Sequence, residues 1–154
     1  GQGKDKYDNV RIGLNSRLDT LQAVVLLNKL KIFNDELISR DKIASFYSEG
    51  LKQYLKVPFI KSLNKSAWAQ YSLLAQNKKE RDDLIAYLNY NNIPTAVYYK
   101  KLFSDLEIYK NLIKKSYPVS KNISECIFSI PMHPYLKESE LDKIINLIST
   151  FYKK

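Results

Sequence analysis

The chain has 154 residues, with 25 Lys or Arg against 16 Asp or Glu, a formal charge of +9 at pH 7. That length suits about one domain, and a 45% hydrophobic content with 12 Tyr, 6 Phe and one Trp excludes a disordered, charge-dominated polymer. The single Cys126 excludes an internal disulfide, and no apolar run reaches the roughly 18 residues of a membrane-spanning helix.

Residues 1–13 have no hydrophobic period and read as a loop, one that starts abruptly, as if continuing from a preceding large domain. Gly13, Leu14, Asn15 and Ser16 then lead into the longest helical pattern, in which Leu18, Leu21, Val25, Leu30, Phe33, Leu37 and Phe46 keep helical spacing to about residue 55, as either one bent helix or two in sequence. Asn15 and Ser16 are good N-cap residues, and Ser16 with Asp19 makes a variant of the capping box. A helix mouth with unpaired N–H groups and a positive dipole end is a ready anion site. The unbroken run Ala23-Val24-Val25-Leu26-Leu27 makes the first half of this helix apolar on more than one face, so it calls for cover by a further domain or subunit.

Gly50 and Val57-Pro58 punctuate the change to a different regime over residues 56–154. Phe59-Ile60 is a short candidate strand, and Trp68 to Ala75 a stronger one. Asn77 caps a helix, with Glu80 at the third position and Leu84, Ile85 and Leu88 inward, that stops before Pro94. Thr95 to Tyr99 reads as a strand, Ser104 with Glu107 as the start of a short helix to Ile113, and Ser120 as the cap of another to Glu125. Ile127 to Ile130 is a short strand ended by Pro131, and a final amphipathic helix runs from about Glu138 to Phe151. The expected class is α+β: a long N-terminal helical region followed by a small, mostly antiparallel sheet covered by helices.

Most routes to autonomous chemistry are closed. One histidine and one cysteine cannot supply a usual metal set, and His133 has no nucleophile implied beside it. The basic excess is carried by lysines spread through every segment, with only Arg11, Arg17, Arg40 and Arg81 as arginines, so no nucleic-acid stripe emerges. A milder attraction for small polyanions such as nucleotide diphosphates remains.

Four ordered stretches carry a resemblance that spans nearly the whole chain: Gly13-Leu14-Asn15-Ser16-Arg17-Leu18-Asp19-Thr20-Leu21-Gln22-Ala23, Ala67-Trp68-Ala69-Gln70-Tyr71, Ile93-Pro94-Thr95-Ala96-Val97-Tyr98-Tyr99 and Ser129-Ile130-Pro131-Met132-His133-Pro134. Together they resemble the C-terminal part of the DegT/DnrJ/EryC1/StrS family of pyridoxal-phosphate-dependent nucleotide-sugar aminotransferases, which are fold-type I enzymes. The resemblance implies a chain that transfers an amino group, from glutamate, to a nucleotide-linked keto sugar when it is part of a full-length cytoplasmic homodimer. It also implies that the cofactor-linking lysine and most of the pyridoxal 5'-phosphate pocket lie in the large domain, so that this chain alone is inactive. None of the 21 lysines occupies the cofactor-linking position.

By the same resemblance Asn15 reaches the cofactor phosphate of the neighbouring subunit, and Arg17, Tyr98 and Tyr99 bind substrate. Relatives often carry His-Tyr where this chain has Tyr98-Tyr99, and Lys100-Lys101-Leu102-Phe103 departs from their Pro-Leu-His, so the first contact of the substrate loop departs from the pattern. Lys100 reads as a solvated lysine with access to a diphosphate, and His133 as a turn residue. Neither a membrane nor a nucleic-acid partner is expected. The rival reading is a non-catalytic binding or interaction module that keeps the small-domain fold.

Overall fold

The computed structural model describes Ile12, residues 16–109 and residues 115–153. The chain divides into two compact units, Gly1–Asn34 and Asp35–Lys154. Four α-helices and a two-stranded antiparallel sheet make it α+β, as expected: α1 (Thr20–Leu51), β1 (Tyr71–Leu74), α2 (Lys78–Tyr90), α3 (Pro118–Cys126), β2 (Ile127–Ile130) and α4 (Glu138–Tyr152).

In the first unit, α1 opens one turn later than the capping-box reading requires. Asp19 is the cap: its Oδ1 accepts from the N–H groups of Leu21 at 2.9 Å and Gln22 at 3.4 Å. A carboxylate there also meets the positive end of the helix dipole, which explains why the start falls beyond Ser16. Gly13, Leu14 and Asn15 lie outside the described residues. The expected apolar stretch is present and exposed, with Leu21, Val24, Val25, Leu27, Leu30 and Phe33 all turned to solvent within this chain.

In the second unit, the register Tyr71↔Ile130, Ser72↔Ser129, Leu73↔Phe128, Leu74↔Ile127 sends Tyr71, Leu73, Phe128 and Ile130 into the core. The C-terminal half of α1 covers that face with Ile43, Ala44, Tyr47 and Leu51, while α2 supplies Leu84 and Leu88 and α4 supplies Leu141, Ile144 and Ile148. The Asn77 cap forms as read, its Oδ1 accepting from Glu80 N–H at 2.9 Å. At the start of α4 the Glu140 carboxylate accepts from the Lys137 N–H at 2.8 Å, closing the same kind of first turn from the other side.

Several expected elements are shorter or replaced. The strand proposed from Trp68 begins only at Tyr71, because Trp68 sits at φ 47 with its indole N–H bonded to Asp41 Oδ1 at 2.9 Å, a conformation no strand accepts. Phe59-Ile60 is not a strand; the pairing on that side is a single bridge between Lys56 and Leu74. Thr95 to Tyr99 also joins the sheet at one residue only, Ala96, which bridges Ser129. The helix expected from Ser104 is two short 3-10 turns, Phe103–Asp105 and Glu107–Tyr109, interrupted by extended Leu106; Ile113 lies outside the described residues. Ser120 does not cap α3, which starts at Pro118, a residue whose fixed φ and missing N–H suit the first helical position.

Gly50 marks a close approach rather than a turn. A Cβ built there would lie 2.7 Å from Ile145 Cδ1 and 3.0 Å from its Cγ2, so α1 and α4 meet across a bare backbone. Gly50→Ala is therefore expected to lower stability by about 1 kcal/mol net, overpacking outweighing the gain in helix propensity. Combining it with Ile145→Ala should remove that overpacking, so equilibrium denaturation should give less destabilisation for the pair than the two single changes add to.

Three tyrosine hydroxyls are held away from water. Burial pushes the Tyr47 and Tyr71 phenols up, while Tyr152 is raised by burial and by its hydrogen bond to the Glu80 carboxylate. Tyr47 donates to Pro131 O at 3.1 Å, and Tyr71 shares a 2.8 Å bond with Ser48 Oγ. The unfolded chain loses these protons near pH 10 and the native chain retains them, so stability is complete below pH 10 and declines as pH rises above it. Denaturant midpoints measured from pH 7 to 11 should show this decline, with a shallower slope in Tyr47→Phe; equal slopes would refute the assignment.

Candidate functional site

The face of the sheet opposite the core forms the floor of a cleft. Strand alternation places Ser72 and Ser129 there, their hydroxyls 2.8 Å apart across the pair. One wall is the segment after Pro94, fixed by two backbone bonds: Ala96 N–H to Ser129 O at 3.0 Å and Ser129 N–H to Ala96 O at 2.7 Å. The facing wall is α3, through Ser120, Ile123 and Ser124. The space enclosed is about 270 Å³, with Gln70, Tyr98, Tyr99 and Lys101 at its edges. A neighbouring cleft of about 210 Å³ shares Gln70, Ala96, Tyr98 and Ser129 and continues to Met132.

Tyr98 and Tyr99 are thus brought to one cleft, Tyr98 55% and Tyr99 80% exposed, each phenol still accessible to a ligand. Arg17 belongs to the first unit, where its Nη1 donates to Ser16 O at 3.0 Å. Asn15, the expected cofactor contact, lies outside the described residues. Lys100 lines a different cleft from its neighbours Tyr99 and Lys101. His133 is exposed, and its Nδ1 accepts from the Tyr135 N–H at 3.3 Å, which is the local turn contact expected of it.

The serines were missed in the sequence. Ser72 and Ser129 each interrupt an otherwise apolar strand, a signal that becomes legible only once the register sets them opposite each other. Gln70 lines both clefts whereas its neighbour Tyr71 is fully buried, so the two divide between site and core.

Hydroxyls, one amide and one ammonium among apolar lining residues suit a polyhydroxylated ligand carrying a single anionic group. A family model described as the DegT/DnrJ/EryC1/StrS aminotransferase family matches residues 1–149. The chain belongs to this family.

Among individual DegT/DnrJ/EryC1/StrS relatives, the UDP-2-acetamido-2-deoxy-3-oxo-D-glucuronate aminotransferase of Pseudomonas aeruginosa is 40% identical over 145 residues, covering 93% of this chain and 39% of that protein. The dTDP-3-amino-3,6-dideoxy-alpha-D-galactopyranose transaminase of Aneurinibacillus thermoaerophilus is 29% identical over 147 residues, 95% of this chain and 40% of that one. A crystal structure of a DegT DnrJ EryC1 StrS aminotransferase from Brucella abortus is 49% identical with a TM-score of 0.89, covering 99% of this chain and 40% of that chain. The chain therefore spans about two fifths of the length of the relatives it matches.

Pyridoxal phosphate does not fit the described residues by themselves. Holding it takes a lysine for the aldehyde and a charged partner for the ring nitrogen. The cleft under Tyr98 has no carboxylate in its lining, and its one lysine, Lys101, is exposed.

Proposed function

We propose that this chain is the C-terminal part of an enzyme that moves an amino group, from glutamate, onto a keto sugar carried by a nucleotide. The observation that carries this reading is the family match over residues 1–149, joined to relatives whose names specify UDP- and dTDP-linked sugars. A Streptococcus pneumoniae chain solved in a PLP form, 26% identical with a TM-score of 0.75 over 84% of this chain and 34% of that one, supports the same cofactor here. Pyridoxal phosphate, held chiefly by polypeptide beyond the two fifths represented, supplies the electron sink that makes amino transfer feasible.

The roles left to this chain are binding and orientation. Tyr98 and Tyr99 offer phenolic hydroxyls to the sugar or its diphosphate, with Ser72 and Ser129 on the cleft floor and Gln70 at its edge as further partners. Arg17 offers a permanently charged fork to an anionic part of the nucleotide sugar, and Asn15 an amide to the cofactor phosphate of a neighbouring subunit. The exposed apolar stretch of α1 supports a homodimer, since a run including Leu21, Val25 and Leu30 favours cover by protein over contact with water.

The intact protein, given glutamate and a panel of UDP- and dTDP-linked 3-keto and 4-keto sugars, should yield an aminated nucleotide sugar detectable by mass spectrometry. No product from any member would favour the non-catalytic module. Tyr99→Phe should raise KM for the nucleotide sugar about fivefold, as expected for one lost hydrogen bond of about 1 kcal/mol. Arg17→Ala should raise that KM more than the KM for glutamate, and Asn15→Ala should weaken cofactor retention on dialysis. Equal effects of Arg17→Ala on both substrates would remove its assigned role.

A further inference from the structure

A third cleft, of about 640 Å³, opens beside the loop that carries Tyr98 and Tyr99 and is not needed for the reaction proposed above. Its lining includes Lys78, Arg81 and Asn89 of α2, Thr95 and Lys100 of the connecting segment, and Glu125 at the end of α3. That volume lies in the range of small-molecule sites, although the lining is more polar than most.

The hydrogen-bond inventory of this cleft is unbalanced towards donors. Arg81 is only 8% exposed; its Nε donates to the Asp82 carboxylate at 2.7 Å and its Nη1 to Ser124 O at 3.4 Å. Its Nη2 has no partner among the described residues. Asn89 Oδ1 already accepts from the Thr95 hydroxyl at 3.3 Å, which leaves the amide nitrogen as the free function. Neither Lys78 nor Lys100 forms a salt bridge with a described residue. Of the two carboxylates, Asp82 is engaged by Arg81, and Glu125 alone opposes the remaining cations. Guanidinium and ammonium groups from α2 and the connecting segment, Lys78, Arg81 and Lys100, match a ligand with several acceptor oxygens, and a tetrahedral phosphate meets such a set better than a planar carboxylate.

We propose that this cleft is a second ligand site, specific for a small phosphorylated metabolite, and that its occupancy is transmitted to the nucleotide-sugar cleft through residues 95–101. Along that segment Thr95 and Lys100 line the second site, while Tyr98, Tyr99 and Lys101 line the first. Val97 of this segment lines both, as does Ser124 of α3, so at Val97 the partition is one residue thick. Among the described residues it is tied to the sheet only at Ala96. A phosphate held by Lys100 and Lys78 restrains the partition and fixes the tyrosines on its other side, which lowers the ordering cost of binding substrate. The transmission rests on the proposed aminotransferase reading; the binding site does not.

Calorimetric titration of inorganic pyrophosphate into the intact, cofactor-loaded protein tests the site. Binding with a submillimolar dissociation constant is expected, weakened at least tenfold by Lys78→Glu, weakened also by Asn89→Ala, and unchanged by Tyr99→Phe. Absence of binding at millimolar pyrophosphate, equal affinity in Lys78→Glu, or loss of binding in Tyr99→Phe would overturn it. For the transmission, saturating pyrophosphate should lower KM for the nucleotide sugar at least twofold in the unaltered protein. In Lys78→Glu it should have no effect, with the KM measured without pyrophosphate unchanged. The same response in both proteins would place pyrophosphate in the substrate cleft and end that part of the proposal. If no amino transfer occurs at all, the reaction assignment fails while the titration still decides the site.

Discussion

A two-stranded antiparallel pair does not persist unaided in water, because each strand leaves one edge unpaired and both faces open. Around β1 and β2 this constraint is met unequally on the two faces. Tyr71, Leu73, Phe128 and Ile130 are sealed by α1, α2 and α4, while the opposite face carries the serine pair beside α3, and Ala96 bridges the outer edge of β2. The stable side and the accessible side are thus the two sides of one small sheet, and the cleft exists because its floor is the back of the core.

The aromatic residues reinforce this division. Tyr47 and Tyr71 lie 5.1 Å apart between ring centroids, and Trp68 packs 5.8 Å from Tyr71, so the first strand is anchored to α1 by tilted ring contacts as well as by aliphatic contacts. Arg40 and Asp41 of the same helix bind the Trp68 backbone and indole, at 3.1 and 2.9 Å. These contacts hold Trp68 in its left-handed conformation, and that turn delivers Gln70 to the cleft and Tyr71 to the core. One helix therefore determines where β1 begins and which neighbouring side chain remains available to a ligand.

The connecting segment 94–101 has the opposite character. It takes its position from a single residue's pairing, and its side chains distribute between two clefts without regular strand geometry beyond Ala96. Such a segment can change its side chains without disturbing the sheet. The core face holds the fold, and the partition is free to vary beside it.

Local chemistry was legible in the sequence. Asn77 capped α2, Pro131 ended β2, the apolar spacing of α4 placed Leu141, Ile144 and Ile148 inward, and four ordered motifs pointed to the family, because caps, prolines and helical periods act over a few residues. What depends on partners distant in sequence was decided by tertiary structure alone. β-propensity placed Thr95 to Tyr99 in a strand, but a strand needs a ladder and only Ala96 found one. Ser72 and Ser129 became a site when the register set them opposite each other, and Arg81 became a buried cation when α3 closed over it. Hydrogen-bond pairing and burial are properties of the assembled fold, and neighbouring residues in the sequence carry no record of which distant group will meet them.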